Sequence, residues 1–215
     1  MSDIFFNGKK KVLVLAPHTD DGEFGCGGTI SRLIQMGLEV MYVAFSSCEE
    51  SLPDEMPKDT LKNELKNAAG SLGIKPENVI IFNFPVRYFT SHRQPILEEM
   101  VKINRSFSPD IVFLPCTNDT HQDHQVISNE GFRAFKRCTV LGYELHWNII
   151  EYAARCFVEL SNKDFDNKVT AIQEYKSQAN RMYSSTEVIK ATMVMRGSQI
   201  GKQFAESFEV LRIIL

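Results

Sequence analysis

Two short polar runs hold most of the chemistry-bearing residues of this chain. The first, PHTDDGE at 17–23, puts one imidazole and three carboxylates within six residues, directly after the apolar run KVLVLA. The second, CTNDTHQDH at 116–124, contributes His121, Asp123 and His124. His18 and Asp21 are three apart, as are His121 and His124, and on a tight turn or first helical turn that spacing aims both side chains one way. Two ring nitrogens and one carboxylate oxygen, drawn from His18, Asp20, Asp21, His121, Asp123 and His124, can hold a divalent cation and leave positions for solvent. Such a cation lowers the pKa of water to about 7 and polarises a carbonyl oxygen. A nearby carboxylate outside the ligand set then takes the proton. Each piece alone has a plainer reading. His18 suits a cap or a packing contact, Asp20–Asp21 a helix N-cap and first turn, and His121 with His124 a solvated helix start. Their joint occurrence behind two apolar runs is what points to hydrolytic metal chemistry.

The elements that position these runs are legible. Four apolar segments, 11–16, 39–46, 78–84 and 110–116, are rich in Val, Ile and Phe and mostly continuous, as in strands covered on both faces. Helical spacing falls between them at 24–36, 59–72 and 95–107, with Gly73 placed to stop the second and Pro95 to start the third. Strand–helix alternation predicts an α/β fold, a Rossmann-like three-layer α/β/α sandwich with a mostly parallel sheet. In such a sheet, ligands bind beyond the carboxyl ends of the strands, where both polar runs lie. In the last third, 141–148 and 155–161 read as strands and 164–181 as a helix. SSTE at 184–187 reads as a capping box opening another helix that ends near Gly197, and FEVLRIIL as a closing strand. The 215 residues suit a single domain, 1–215, and 43% hydrophobic content supplies a core.

A net charge of −3 does not favour nucleic acid or an anionic membrane surface as partner. No apolar window is long enough to span a bilayer. The start, MSDIFFNGKKK, lacks the order of charge, apolar core and small residues of a secretion signal, so a cytoplasmic location is expected. Five scattered cysteines without a C-x-x-C pair fit buried apolar residues in a reducing compartment. GEFGCGG at 22–28 is not G-x-G-x-x-G, and its acidic neighbours would repel a pyrophosphate. Gly25, Gly27 and Gly28 therefore read as close helix–sheet packing. A phospho-receiver domain also carries an acidic pair after its first strand, but it needs an aspartate after the third, which FNFPVR lacks, and has no use for the histidines.

With both motifs in view, the chain resembles the LmbE-like, or PIG-L, family of metal-dependent N-acetylglucosaminyl deacetylases. The family's A-H-P-D-D-E motif stands as APHTDDGE at 16–23, with Gly27 and Gly28 behind it, and its H-x-D-H motif as His121-Gln122-Asp123-His124. ELKNAAGSLGI and the YKSQ…RG…FAESF stretch extend the resemblance over nearly the whole chain. The resemblance implies His18, Asp21 and His124 as ligands of one zinc ion per chain, though iron or manganese accept the same donors. It implies Asp20 as general base, His121 as stabiliser of the oxyanion or acid to the leaving amine, and Asp123 as a carboxylate orienting a histidine. The implied reaction is hydrolysis of an N-acetyl group from a small amino-sugar conjugate. Another acylated amine, or a non-catalytic relative binding metal or sugar, is the alternative, and a homo-oligomer stays open.

The chain departs from the pattern in places. Gly22 separates the aspartate pair from Glu23, Thr19 replaces a proline, and the family's T-x-G-E loop stands as Ser46-Ser47-Cys48-Glu49, with Glu49 matching. The family's arginine three residues before a helix glutamate is Leu61 here, before Glu64, so sugar recognition rests on other residues. Arg87 and Arg93, after the third strand, suit a phosphate or carboxylate on the substrate, against a plain surface role. Tyr143, His146 and Trp147 suit an aromatic wall for a sugar ring, against core packing.

Overall fold

The computed structural model describes residue 8 and residues 10–53 and 55–214. The amino-terminal stretch that bears on secretion, apart from residues 8, 10 and 11, and the final Leu215 of the expected last strand lie outside these. Among the described residues seven strands form one sheet: β1 (Lys11–Ala16), β2 (Glu39–Ala44), β3 (Val79–Ile81), β4 (Ile111–Pro115), β5 (Thr139–Tyr143), β6 (Cys156–Leu160) and β7 (Phe204–Arg212). Their order is β3-β2-β1-β4-β5-β7-β6. The first five are parallel, and β7 runs antiparallel to both β5 and β6. Among the described residues six α-helices accompany them: α1 (Asp21–Gln35), α2 (Thr60–Leu72), α3 (Arg93–Phe107), α4 (Gln122–Ala134), α5 (Asn162–Gln173) and α6 (Thr186–Ser198).

Alternation along β1 divides the core in two. Val12, Val14 and Ala16 face a cluster with Ile30 and Leu33 of α1, Leu65 of α2 and Ile172 of α5. Leu13 and Leu15 face Ile96 and Met100 of α3 and Ile127 of α4. These are the three expected layers, with each central strand buried on both sides.

From β1 the chain winds outward through β2 to β3, then returns to lay β4 on the opposite side of β1, in register Val12 with Ile111 and Val14 with Phe113. The β1/β4 boundary is thus the switch point where loops leave in opposite directions and open a crevice. The two polar runs follow these two strands.

Several boundaries differ from expectation. Strand β3 is three residues long, although Phe82 and Phe84 still donate backbone hydrogen bonds to Ala44 and Phe45. Strand β5 ends at Tyr143, and residues 144–148 form a turn. Helix α5 stops at Gln173, and a separate short 3-10 turn covers Lys176–Gln178. SSTE is not a capping box. Ser185 is the N-cap and accepts from the Val188 N–H, which moves Glu187 to the second helical position. The reciprocal box occurs instead at Ser161 and Asp164, at the start of α5. Helix α4 carries no clean apolar stripe, because Ser128 and Glu130 are buried with Val126 and Ile127, so periodicity shows only its first turn.

The glycine expectation holds. A Cβ on Gly25 would enter the Tyr143 ring, one on Gly28 would stand 2.7 Å from Leu160 Cδ1, and one on Gly27 3.2 Å from the Lys168 stem. Helix α1 therefore lies closer to the sheet and to α5 than any larger residue permits.

Candidate metal centre

Asp20 is the N-cap of α1, yet its side chain makes no capping hydrogen bond. The carboxylate lines the crevice instead. Asp21, in the first turn, turns back, and its Oδ2 accepts the His18 backbone N–H at 2.8 Å. Across the crevice, His121 caps α4 through its ring, Nδ1 accepting the Asp123 N–H at 3.2 Å. His124 lies one turn further on and is buried.

These loops bring three donor atoms together. His18 Nδ1 stands 3.1 Å from Asp21 Oδ2 and 3.1 Å from His124 Nε2, and the third side, Asp21 Oδ2 to His124 Nε2, is 3.3 Å. Donors at about 2.0–2.1 Å from one ion, at octahedral or tetrahedral angles, stand roughly 2.8–3.4 Å apart. The triangle has that size.

Proton accounting points the same way. His18 Nε2 meets Asp123 Oδ2 at 3.1 Å and His124 Nδ1 meets Asp119 Oδ2 at 2.7 Å, so each outer nitrogen carries its proton toward a carboxylate. In the neutral rings the inner nitrogens present lone pairs to each other and to a carboxylate oxygen. Against the lowering by burial, Asp21 and the outer carboxylates raise both rings, His124 to about 10, so the triangle gathers positive charge either as protons or as a metal ion. Three acceptors this close need a positive charge among them, and the donor set suits a divalent metal. The backing carboxylates fix ring orientation, as partners behind metal-bound histidines do. Ligand atoms of His18, His121 and His124 also lie within 4.8 Å of one another. Asp21 closes the tighter triangle, and His121 Nδ1 is already engaged by a backbone N–H, so His121 is the weaker third ligand.

Local fields follow from this packing. Burial raises Asp20 to about 6, and the neighbouring Asp21 charge adds to the rise. Burial would do the same to Asp21, but His124 and His18 outweigh it and hold Asp21 well below its usual range. Burial and the facing His124 and His18 push His121 down to about 4, which leaves its ring neutral. With Nδ1 accepting, the His121 proton sits on Nε2, where it can be donated.

Asp123 also accepts the Arg87 N–H at 2.6 Å and the Phe89 N–H at 3.2 Å, tying the loop after β3 to His18. Glu23 lies behind the site. It is fully buried and bonds Tyr42 at 2.5 Å and Tyr175 at 3.1 Å, and both hydroxyls also reach the Thr19 carbonyl. Desolvation lifts its carboxyl to about 8, so it braces the His18 loop rather than joining the cation.

The proposed substrate contacts divide. Arg87 and Trp147 line the crevice, and Trp147 stacks on Tyr183 at 4.0 Å between ring centroids. His146 meets the edge of Trp147 from outside that lining. Three of the expected residues are engaged away from the crevice lining. Arg93 binds Glu130 through Nε at 2.8 Å and a terminal nitrogen at 2.6 Å, joining α3 to α4 away from the crevice. Tyr143 is fully buried, donates to the Leu15 carbonyl at 3.0 Å and packs against α1. Glu49 pairs with Lys62 at 2.6 Å outside the crevice lining.

Sequence reasoning missed Asp119, Tyr183, Asn148, Gln178 and Arg181. Asp119 lay within the quoted second run but has no spacing that marks it. The others enter the crevice from irregular segments. Gln178 follows Ser177, whose N–H and Oγ both bond Glu64 of α2, so the 3-10 turn is pinned over the site.

The family model for PIG-L, described as GlcNAc-PI de-N-acetylase, matches residues 13–135, more than half of the sequence and both polar runs. The chain belongs to the PIG-L family. This PIG-L protein is 27% identical over 198 residues to diacetylchitobiose deacetylase of Thermococcus kodakarensis, covering 84% of this chain and 71% of that one. Its fold is similar to that of N,N'-diacetylchitobiose deacetylase from Pyrococcus horikoshii, with a TM-score of 0.81, 23% identity and 96% and 85% of the two chains covered. It is equally similar to GalB, the 4-carboxy-2-hydroxymuconate hydratase of Pseudomonas putida, with a TM-score of 0.80, 20% identity and coverage of 96% and 98%. One fold thus hosts different reactions, and activity has to be argued from the site.

Proposed function

We propose that this PIG-L protein is a zinc-dependent hydrolase that removes the N-acetyl group from an N-acetylglucosamine-type conjugate, releasing acetate and a free amine, with the whole chain as one catalytic domain. The carrying observation is the 3.1, 3.1 and 3.3 Å triangle of His18, Asp21 and His124 donors beside an Asp20 carboxylate left free of its cap. Family membership and the relatives' deacetylase activity on N-acetylated sugars support the substrate class.

His18, Asp21 and His124 would hold the ion, with Asp123 and Asp119 orienting the two rings. When bound, the ion supplies Lewis acidity and makes water acidic near neutral pH. Asp20 receives the proton of the attacking water, a task suited to a carboxylate whose basicity burial has raised. His121 Nε2–H donates a hydrogen bond to the carbonyl oxygen as negative charge develops there and keeps its proton, so the departing amine takes the one that Asp20 holds. The amide C–N bond breaks, water's oxygen stays on the acetyl carbon, and its proton passes through Asp20 to the amine. Trp147 and Tyr183 offer a flat apolar face to a sugar ring.

The test is acetate release by zinc-loaded protein from N-acetylglucosamine derivatives, run beside other acylated amines. Turnover confined to the sugar derivatives upholds the reading. Faster turnover of another amide selects the alternative, and metal-loaded protein inert toward every amide overturns hydrolysis.

A further inference from the structure

Helix α1 is broken at Cys26, whose φ of −147° and ψ of 23° are not helical. An unbroken helix would close the Gly28 N–H onto the Phe24 carbonyl, four residues back. Here both halves of that bond go elsewhere. The Phe24 carbonyl accepts from Lys168 Nζ at 2.6 Å, and the Gly28 N–H donates to Glu206 Oε1 at 3.0 Å. The Thr29 N–H, which a regular helix would aim at Gly25, donates to Glu206 Oε2 at 2.7 Å. Lys168 of α5 and Glu206 of β7 pair with each other at 2.6 Å. An ion pair from two other elements is thus spliced into one helical hydrogen bond, and side chains inserted in this way kink a helix.

The signs of the pair match the backbone. The ammonium meets a carbonyl at the end of the first turn, and the carboxylate meets the N–H groups that start the longer helix, as the helix dipole favours. The approach is close: a Cβ on Gly28 would stand 3.2 Å from Glu206 Oε1. Both side chains are only 5% exposed, so taking their charges out of water is costly. A straight helix among apolar neighbours would pack without that cost. What the break gains is direction. It aims the turn at 21–25, with Asp20 at its N-cap and Asp21 at its start, independently of the longer helix that fills the core with Ile30 and Leu33. Phe24, held by Lys168, also sets its ring against Trp147 and Tyr183, with centroids 5.2 and 5.3 Å away.

We propose that Lys168 and Glu206 are positioning residues of the metal centre. By holding α1 open between Phe24 and Gly28, they aim its first turn so that Asp21 completes the triangle with His18 and His124 and Asp20 stands beside it. Neither touches the reacting atoms, and both act through Asp20 and Asp21. The proposal rests on the metal-hydrolase reading given above for its chemistry, while its first readout, metal binding, does not depend on which amide is cleaved.

The experiment compares wild-type protein with Lys168→Met, Glu206→Gln and the double variant, which removes both charges at nearly constant volume and leaves no buried ion unpaired. Chelator competition gives zinc affinity, the visible spectrum of cobalt(II)-loaded protein reports ligand geometry, and acetate release at saturating zinc gives kcat and KM. Each variant should bind zinc about tenfold more weakly and show an altered cobalt spectrum. Its kcat should fall about tenfold or more, with a smaller change in KM, because Asp20 is displaced from the attacking water. Ile96→Val, buried in the opposite layer, should lower Tm and leave zinc affinity, spectrum and kcat as in wild type. If a single variant fails to fold, the double variant decides. A double variant that matches wild type in zinc affinity and cobalt spectrum, whatever its Tm, overturns the proposal. So does one that does not fold, since the pair then serves the fold itself. If binding and spectrum change as expected while wild-type protein turns over no N-acetyl sugar, the positioning role stands and the deacetylase reading fails.

Discussion

Asp119 Oδ2 accepts the His124 Nδ1 proton at 2.7 Å, with both side chains nearly sealed from water. The other Asp119 oxygen accepts the His121 N–H at 2.8 Å, so one carboxylate sets both a ring tautomer and the start of α4. Removing it frees the His124 ring to rotate and to change tautomer. Asp119→Ala should weaken zinc binding about 10–100-fold. A competition titration against a chromophoric chelator measures this, and unchanged affinity would show that packing alone orients the ring.

Asp20 carries a different prediction because it touches none of the three triangle atoms. Asp20→Ala should keep one zinc per chain and lose about 10²–10⁴-fold in turnover. Metal analysis and acetate release on the same preparation separate the two effects. Normal deacetylation by the variant would remove Asp20 as the base.

His18→Ala and His124→Ala should each abolish stoichiometric zinc. Chelation of wild-type protein should lower its Tm, since an ion at a thousandfold excess over its Kd stabilises the fold by about 4 kcal/mol. At roughly 2–4 °C per kcal/mol for a chain of this size, a drop of several degrees is expected by scanning calorimetry. A Tm indifferent to both chelator and added zinc would mean that the triangle holds no ion.

Two glycines test the helix–sheet packing. Gly25→Ala should cost about 1–3 kcal/mol, because the buried Tyr143 ring has no room to yield. Gly70→Ala, on the exposed side of α2 with nothing within 4 Å, should instead stabilise by about 0.5–1 kcal/mol. Urea unfolding of the pair reads both signs, and equal effects would deny that close approach is why α1 carries its glycines.

Much of this centre was readable before any coordinates. His18, Asp20, Asp21, His121, Asp123 and His124 lie in two runs that each follow a strand and lead into a helix, and continuous apolar segments announce strands buried on both faces. Side-chain types, local spacing and the parallel architecture are local properties, carried by the order of residues. Gly25, Gly27 and Gly28 were legible for the same reason, since only a missing side chain lets a helix approach that closely.

Partnership was a different matter. Arg87 and Arg93 are close in sequence, yet Arg93 turns to Glu130 while Arg181, from the far end of the chain, faces the crevice with Arg87. Tyr143 and Trp147 are neighbours too, and one is sealed under β1 while the other stacks on Tyr183. Strand order decides such pairings. By placing β4 beside β1, the sheet puts loops about a hundred residues apart within one ion's reach. No local pattern encodes that adjacency, because it arises only when distant strands assemble into one sheet and bury the central ones between two helix layers.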